Sequence, residues 1–303
     1  MSRRRRVPLV VIAVVLAGCG ARCAWAAPND PSATFEFGGL SRTYLIHVPP
    51  GRPAGLVVNL HGGGSNGSQQ ERLTNFDAIA DANGFVVVYP DGIDNNWADG
   101  RGASEPDRRG IDDVGFLVAL AGKLQNEHGI GPGHVFATGM SNGGFMANRL
   151  GCDRADVFAA IAPVAGTLGD GVACNPSRPV AVLEVHGTAD PLVPFDGGTM
   201  RGRGGTSDIV SAPAMAERWR TADGCQGTPA AETLPSTGDG TVVHRFASTS
   251  CAAGTAVVFY QVDDGGHTWP GGPQYLPKAI IGPTTRAFGA SDAIGQFFAA
   301  HAH

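Results

Sequence analysis

The chain has 303 residues, 43% of them hydrophobic, which is enough for one sizeable core and argues against disorder. Its formal net charge is −5 with only 16% charged residues, and basic residues cluster only at positions 3–6, so nucleic-acid binding has no electrostatic footprint. Forty-five glycines without a fixed period do not fit collagen-like or repeat architectures.

In chain order, the first feature is an export signal over residues 1–26. Arg3, Arg4, Arg5 and Arg6 form a positive start, and the apolar run 7–16 is too short to span a bilayer. Leu16-Ala17-Gly18-Cys19 has the form of a bacterial lipoprotein box, in which Cys19 carries a lipid anchor. Ala24-Trp25-Ala26 offers instead a cleavage site before Ala27. Apolar-core length favours the first; cysteine parity favours the second, with the balance toward full secretion. Removal of residues 1–26 leaves Cys152, Cys174, Cys225 and Cys251, an even set suited to an oxidising compartment. Three pairings are open, and proximity in sequence favours Cys152–Cys174 and Cys225–Cys251. No C-x-x-C or clustered histidine spacing supports a metal site.

The spacing then predicts a strand over 43–48 and a buried strand over 55–60. Leu73, Phe76, Ile79 and Ala80 predict one helix over 68–82, stopped by Asn83-Gly84. A buried strand follows over 85–89, then a helix capped by Asp112 or Asp113 and ending near Gly129. Strands are expected over 134–138, 159–164 and 180–185, with a helix over 145–150. Ser211-Ala212-Pro213 opens a helix through Trp219, and late strands lie over 242–246 and 256–262. Ser291 is expected to cap a final helix carrying Ile294, Phe297 and Phe298. Residues 91–110 and 195–205 lack periodicity, and 225–250 reads as an excursion bounded by cysteines. Alternation of strand and helix implies parallel βαβ units, and no linker splits residues 27–303, so one α/β catalytic domain is expected.

Gly139-Met140-Ser141-Asn142-Gly143 matches G-x-S-x-G, and so does Gly63-Gly64-Ser65-Asn66-Gly67. Context separates them. A nucleophile elbow needs a buried strand directly before the serine and a helix directly after it, with small residues at the sharp turn. Ser141 has both; Ser65 sits five residues past its strand. His61-Gly62-Gly63-Gly64 follows the 55–60 strand, where such folds place a loop whose backbone N–H stabilises an oxyanion. Gly62 or Gly63 is the expected donor, and the N–H of Asn142 the second.

A serine nucleophile needs a base oriented by an acid, in the order serine, acid, histidine for this architecture. His186 precedes the good acid candidates, His244 lies within a strand pattern, and His301 and His303 are terminal. His267, in a glycine-rich loop after the 256–262 strand, is the candidate base. Asp190, in the loop after the 180–185 strand, is the candidate acid, with Asp263 and Asp264 as competitors. Trp97 and Trp269 are candidates for stacking on an aromatic acyl group.

Six segments carry a family resemblance: Leu60-His-Gly-Gly-Gly64, Tyr89-Pro-Asp-Gly92, Asp112-Asp-Val-Gly-Phe116, Gly139-Met-Ser-Asn-Gly-Gly144, His186-Gly-Thr-Ala-Asp190 and Gly266-His-Thr-Trp-Pro270. In their order the chain resembles secreted esterases of the polyhydroxybutyrate depolymerase and feruloyl esterase group, mycobacterial lipoprotein-type members included. The resemblance implies an α/β-hydrolase fold, no cofactor, and an acyl-enzyme mechanism using Ser141, Asp190 and His267. The expected substrates are small or polymer-derived esters: hydroxycinnamoyl esters of plant cell-wall sugars, or hydroxyalkanoate oligomers. No polymer-binding extension is evident. A serine peptidase and a catalytically silent exported binding protein are the rival readings; the absence of a gating second domain speaks against the first, the full triad against the second.

Overall fold

The computed structural model describes residues 31–202 and 204–302. The export signal expected over 1–26, including Cys19, lies outside the described residues. The chain opens with β1 (Ser32–Phe37), β2 (Leu40–His47) and β3 (Gly55–Leu60), followed by α1 (Gly67–Thr74), α2 (Phe76–Asn83) and β4 (Phe85–Pro90). A one-turn α3 (Glu105–Arg108) precedes α4 (Asp113–His128), β5 (Val135–Met140), α5 (Asn142–Asp153), β6 (Ala160–Val164) and β7 (Ala181–Gly187). The hairpin β8 (Gly198–Arg201) and β9 (Thr206–Ile209) stands apart as its own two-stranded sheet. After it come α6 (Ala212–Ala222), β10 (Ala230–Thr233), β11 (Val242–Ser248), β12 (Val257–Asp263), α7 (Lys278–Ile281) and α8 (Ala290–Ala300).

Ten strands form one sheet in the order β1-β2-β4-β3-β5-β6-β7-β12-β11-β10. The six from β4 to β12 in that order are parallel, as expected. Both edges are antiparallel, which βαβ reasoning alone does not supply: β1–β2–β4 on one side, β12–β11–β10 on the other. The central strands read as unbroken apolar runs because helices cover both faces. Alternate residues of β3 separate into two cores: Leu56, Val58 and Leu60 join α4, α5 and Trp219 on one face, while Val57 joins Phe76, Ile294 and Phe298 on the other. Since β4 and β5 lie on opposite sides of β3, the chain reverses direction between β3 and β5. A crevice opens there, at the carboxyl ends of the strands.

Several boundaries depart from the sequence reading. The single helix expected over 68–82 is two, because Asn75 adopts φ 47°, caps α1 and turns the chain into α2. Asparagine tolerates this left-handed conformation. At the break the Thr74 carbonyl accepts from Ser291 Oγ at 2.6 Å, a contact from far along the chain. Ser291 is therefore not the cap of the last helix. Gly289 holds that position, and Ser291 Oγ instead bridges Thr74 and the Trp269 indole. Asp112, rather than Asp113, caps α4 by accepting from Gly115 N–H. Within the 195–205 segment, residues 198–201 form β8, the first strand of the β8–β9 hairpin. Cysteines pair as Cys152–Cys174 and Cys225–Cys251. Among the described residues no helix is long and apolar enough to cross a membrane.

One core position is costly. Glu184, on β7 opposite Phe259, is fully buried, and neither carboxyl oxygen has a hydrogen-bond partner among the described residues. Burial pushes its carboxyl well above the usual carboxylate range. The folded state therefore binds a proton that the unfolded chain releases above its ordinary carboxylate value, and stability falls as pH rises through that window. Glu184→Gln, which cannot ionise, should gain melting temperature over the native protein as pH is raised from 5 to 8. A gap that does not widen with pH would show that Glu184 is not held protonated in the core.

Candidate active site

Ser141 stands directly between β5 and α5 with φ 58° and ψ −121°, a conformation strained for any residue but glycine. Its N–H donates to Val164 O at 2.9 Å, and its carbonyl accepts from Phe145 N–H at 2.9 Å. The turn closes this tightly because its flanks are small: a Cβ on Gly143 would lie 2.2 Å from Leu60 O, and one on Gly139 would lie 2.6 Å from the same atom. Ser65, the other motif serine, precedes the Asn66 cap of α1 and donates to Gln69 Oε1.

The loops after β7 and β12 bring Asp190 and His267 together. His267 Nδ1 lies 2.7 Å from Asp190 Oδ2, so that nitrogen carries the proton and Nε2 is left as a base. Asp190 Oδ1 accepts from the N–H groups of Leu192 and Val193, each at 2.8 Å. Burial raises the Asp190 carboxyl, but His267 and these bonds outweigh it and hold the group below the ordinary carboxylate range, ionised. His186, on β7, lies 3.8 Å from the same Oδ2 and donates from Nε2 to Val193 O. Burial lowers its pKa and keeps it neutral, so it shapes the acid loop without competing for the carboxylate charge. Asp263 and Asp264 do not replace Asp190: Asp263 pairs with His244 at 3.2 Å.

The candidate oxyanion residues are anchored from behind. Asn142 is the first residue of α5, so its N–H has no helical acceptor and lies at the positive end of the helix dipole. Its side chain faces inward: Oδ1 accepts from Trp97 N–H at 2.7 Å, and Nδ2 donates to Asp99 Oδ2 at 2.6 Å. The carbonyl of His61 accepts from the Trp97 indole at 2.9 Å, and the carbonyl of Gly62 lies 2.8 Å from His61 Nδ1. No peptide bond among the described residues is cis, and a trans amide points its N–H opposite its carbonyl. The N–H groups of Gly62 and Gly63 are therefore both turned away from these buried anchors. Gly62 lies beside Ser141; a Cβ on it would sit 3.5 Å from Ser141 Cβ. His61 Nε2 accepts from Gly92 N–H at 2.9 Å, which fixes its proton on Nδ1. Burial lowers its pKa to about 4, so the imidazole is neutral.

Trp97 and Trp269 do not stack on a substrate. Both are buried, at 0% and 1% exposure, and neither lines the cleft. Trp97 closes against the His61 ring and anchors the glycine loop, while Trp269 packs into the core and donates to Ser291. The tryptophan expectation fails because indole surface is most useful when fully buried with its N–H satisfied.

Ser141, His267, Gly62, Gly63 and Asn142 share one cleft of about 900 Å³. Met140, Phe145, Val193 and Met200 give it apolar lining that the sequence reading did not identify. Met200 arrives on the β8–β9 hairpin, whose Gly204 carbonyl accepts from Arg108. A serine hydroxyl, an imidazole oriented by a carboxylate, and backbone amides lining one cleft are the kinds of parts acyl transfer needs.

Comparisons with known proteins bear on the family and the fold. The family model described as Esterase PHB depolymerase matches residues 42–212. A protein of Nocardia uniformis subsp. tsuyamanensis named "Putative esterase NocK" is 34% identical, over 86% of this chain and 79% of its own length. Feruloyl esterase C of Emericella nidulans is 29% identical over 93% of this chain and 90% of its own. An acetyl xylan esterase structure from Aspergillus awamori superposes with a TM-score of 0.58 at 14% identity, covering 78% of this chain and 94% of that one. The shared fold is that of the α/β-hydrolases.

Trp97→Phe keeps a ring and removes the N–H that anchors His61. It should lower kcat on a soluble ester about tenfold, less than the 10²–10³ typical of deleting an oxyanion donor, with KM nearly unchanged. An unaltered kcat would detach Trp97 from alignment of the loop.

Proposed function

Because the chain belongs to the esterase PHB depolymerase family and is a carboxylic ester hydrolase, we propose that it is a secreted serine esterase working through an acyl-enzyme. Ser141 is the nucleophile, His267 the general base and Asp190 the acid that orients it. The amides of Asn142 and of Gly62 or Gly63 stabilise the oxyanion. The observation that carries this reading is the strained Ser141 sharing a cleft with a histidine whose far nitrogen is held at 2.7 Å by a buried, ionised aspartate.

His267 Nε2 takes the hydroxyl proton as Ser141 Oγ attacks the ester carbonyl, and the negative charge passes to the carbonyl oxygen. Asp190 stabilises the resulting imidazolium, which gives its proton to the departing alcohol. Water then attacks the acyl carbon and loses a proton to His267, which passes it to Ser141 Oγ as the bond to serine breaks and the acid leaves. No step needs a metal or cofactor.

The substrates we infer are hydroxycinnamoyl esters of plant cell-wall polysaccharide. A relative named feruloyl esterase aligned over nearly the full chain supports this, as does a cleft walled by Met140, Phe145, Val193 and Met200. The description of the matching family favours a second reading, hydroxyalkanoate oligomers. Residues 27–303 form the one catalytic domain in this proposal. Residues 1–26 direct export, with Cys19 the lipid attachment point if cleavage falls there. Two disulfides fit the oxidising compartment that export implies.

A fluorophosphonate probe on the purified mature protein should label Ser141, and the label should be lost in His267→Ala. Absence of label, or label on Ser65, would sink the assignment. Relative kcat/KM on methyl ferulate and on a 3-hydroxybutyrate oligomer then chooses between the two substrate readings.

A further inference from the structure

The cleft has an uneven charge. Among the described residues Arg72, Arg101 and Arg201 line it, while no aspartate or glutamate does, although the whole chain carries 27 acidic against 22 basic residues. Among the described residues Arg72 bonds the neutral Ser68 hydroxyl and no carboxylate. Arg201, on β8, is exposed and has no side-chain partner among the described residues. Positive charge gathered in a concave, partly apolar site focuses its field on whatever enters.

Arg101 is the built part of this arrangement. Its side chain is 7% exposed, and Asp99 behind it accepts from Nε at 3.0 Å and from Nη2 at 2.6 Å. The guanidinium lies 3.7 Å over the Phe145 ring, so its plane is fixed. Its Nη1 meets only the Met200 thioether at 3.1 Å and the Ser207 hydroxyl at 3.5 Å. Sulfur is a weak acceptor, and that hydroxyl is at the limit of a hydrogen bond. The guanidinium is thus held rigid in the cleft: Asp99 pairs its charge from behind through Nε and Nη2, while Nη1 is turned to no close oxygen. A guanidinium fork matches a carboxylate.

We propose that the hairpin end of the cleft is a carboxylate subsite centred on Arg101, and that the esters this enzyme prefers carry an anionic carboxyl group. This rests on the ester-hydrolase reading and refines its substrate class. Arg101 is the specificity residue; Arg201 adds net positive charge at the rim. Asp99 is a positioning residue, because the Oδ2 that holds Arg101 also accepts from Asn142 Nδ2 at 2.6 Å. Recognition and oxyanion alignment therefore share one carboxylate oxygen.

The test compares matched esters that differ in charge. The acyl-side pair is p-nitrophenyl hydrogen adipate against p-nitrophenyl hexanoate. The alcohol-side pair is 4-butanoyloxybenzoate against its methyl ester. At low ionic strength, kcat/KM should favour the anionic member of at least one pair by about tenfold, which also says which part of the substrate carries the charge. The preference should shrink with added salt and in Arg201→Gln, and should be lost in Arg101→Gln. Using the ratio within a pair cancels general damage to the oxyanion hole, which both members share. Arg101→Lys, which keeps the charge but not the fork, should lose most of the preference, again read as the ratio within each pair.

Equal rates on both members of each pair, with Ser141 still labelled, would overturn the carboxylate subsite and leave the esterase standing. A preference untouched by Arg101→Gln would overturn the role of Arg101. Failure to hydrolyse any ester would sink both readings.

Discussion

The structure is organised around one crowded point, where β3, β5 and the first turn of α5 meet. The Leu60 carbonyl lies so near Gly139 and Gly143 that no side chain fits at either position. Between them Ser141, directly after β5, takes φ 58°. The strain persists because the flanking backbone is bonded to Val164 and Phe145 and cannot relax without breaking the central sheet. The reactive geometry thus depends on the packing of the whole sheet, and a loop rearrangement alone cannot release it.

Around that point the protein places neutral histidines behind the site and an ionised aspartate where its partners are close. His61 and His186 are both buried and both kept uncharged, one fixing the glycine loop and the other the acid loop. Asp190 stays ionised through His267 and two backbone N–H groups. The loop of residues 91–110 is the common scaffold. Trp97 holds His61, Asp99 holds Asn142 and Arg101, and Ala98 N–H is taken by Asp113, itself paired with the buried Arg42. Removing one member of such a set leaves a buried donor or acceptor unpaired, which is why the set acts as a unit.

The parallel core was legible from sequence because strands covered on both faces must be apolar throughout, and residues 55–60 and 85–89 read that way. Ser141 was separable from Ser65 because only one has a strand ending against it. What was not legible depends on contacts distant in sequence. The helix break at Asn75 coincides with Ser291 reaching Thr74, some 217 residues away, while the apolar spacing runs on across the break. The burial of Trp97 and Trp269 follows from partners at His61 and Ser291 that no local pattern reveals. The β8–β9 hairpin has too few branched residues and too many glycines to read as strand, yet it supplies one wall of the cleft. Strands β1 and β10 lie at sheet edges, where exposed alternation with no strong apolar signal carries little information.

The two disulfides close short, consecutive loops: the partners are 22 and 26 residues apart, and neither loop encloses the other. A chain that meets oxidant from its amino end onward therefore exposes each of these four cysteines in the order in which it is to be paired. Cys152 is followed by Cys174 before Cys225 has emerged, and Cys225 by Cys251. Vectorial oxidation then leads to the native pairing by order of appearance. The long-range strand pairing of β7 with β12 can follow on a chain whose crosslinks are already correct.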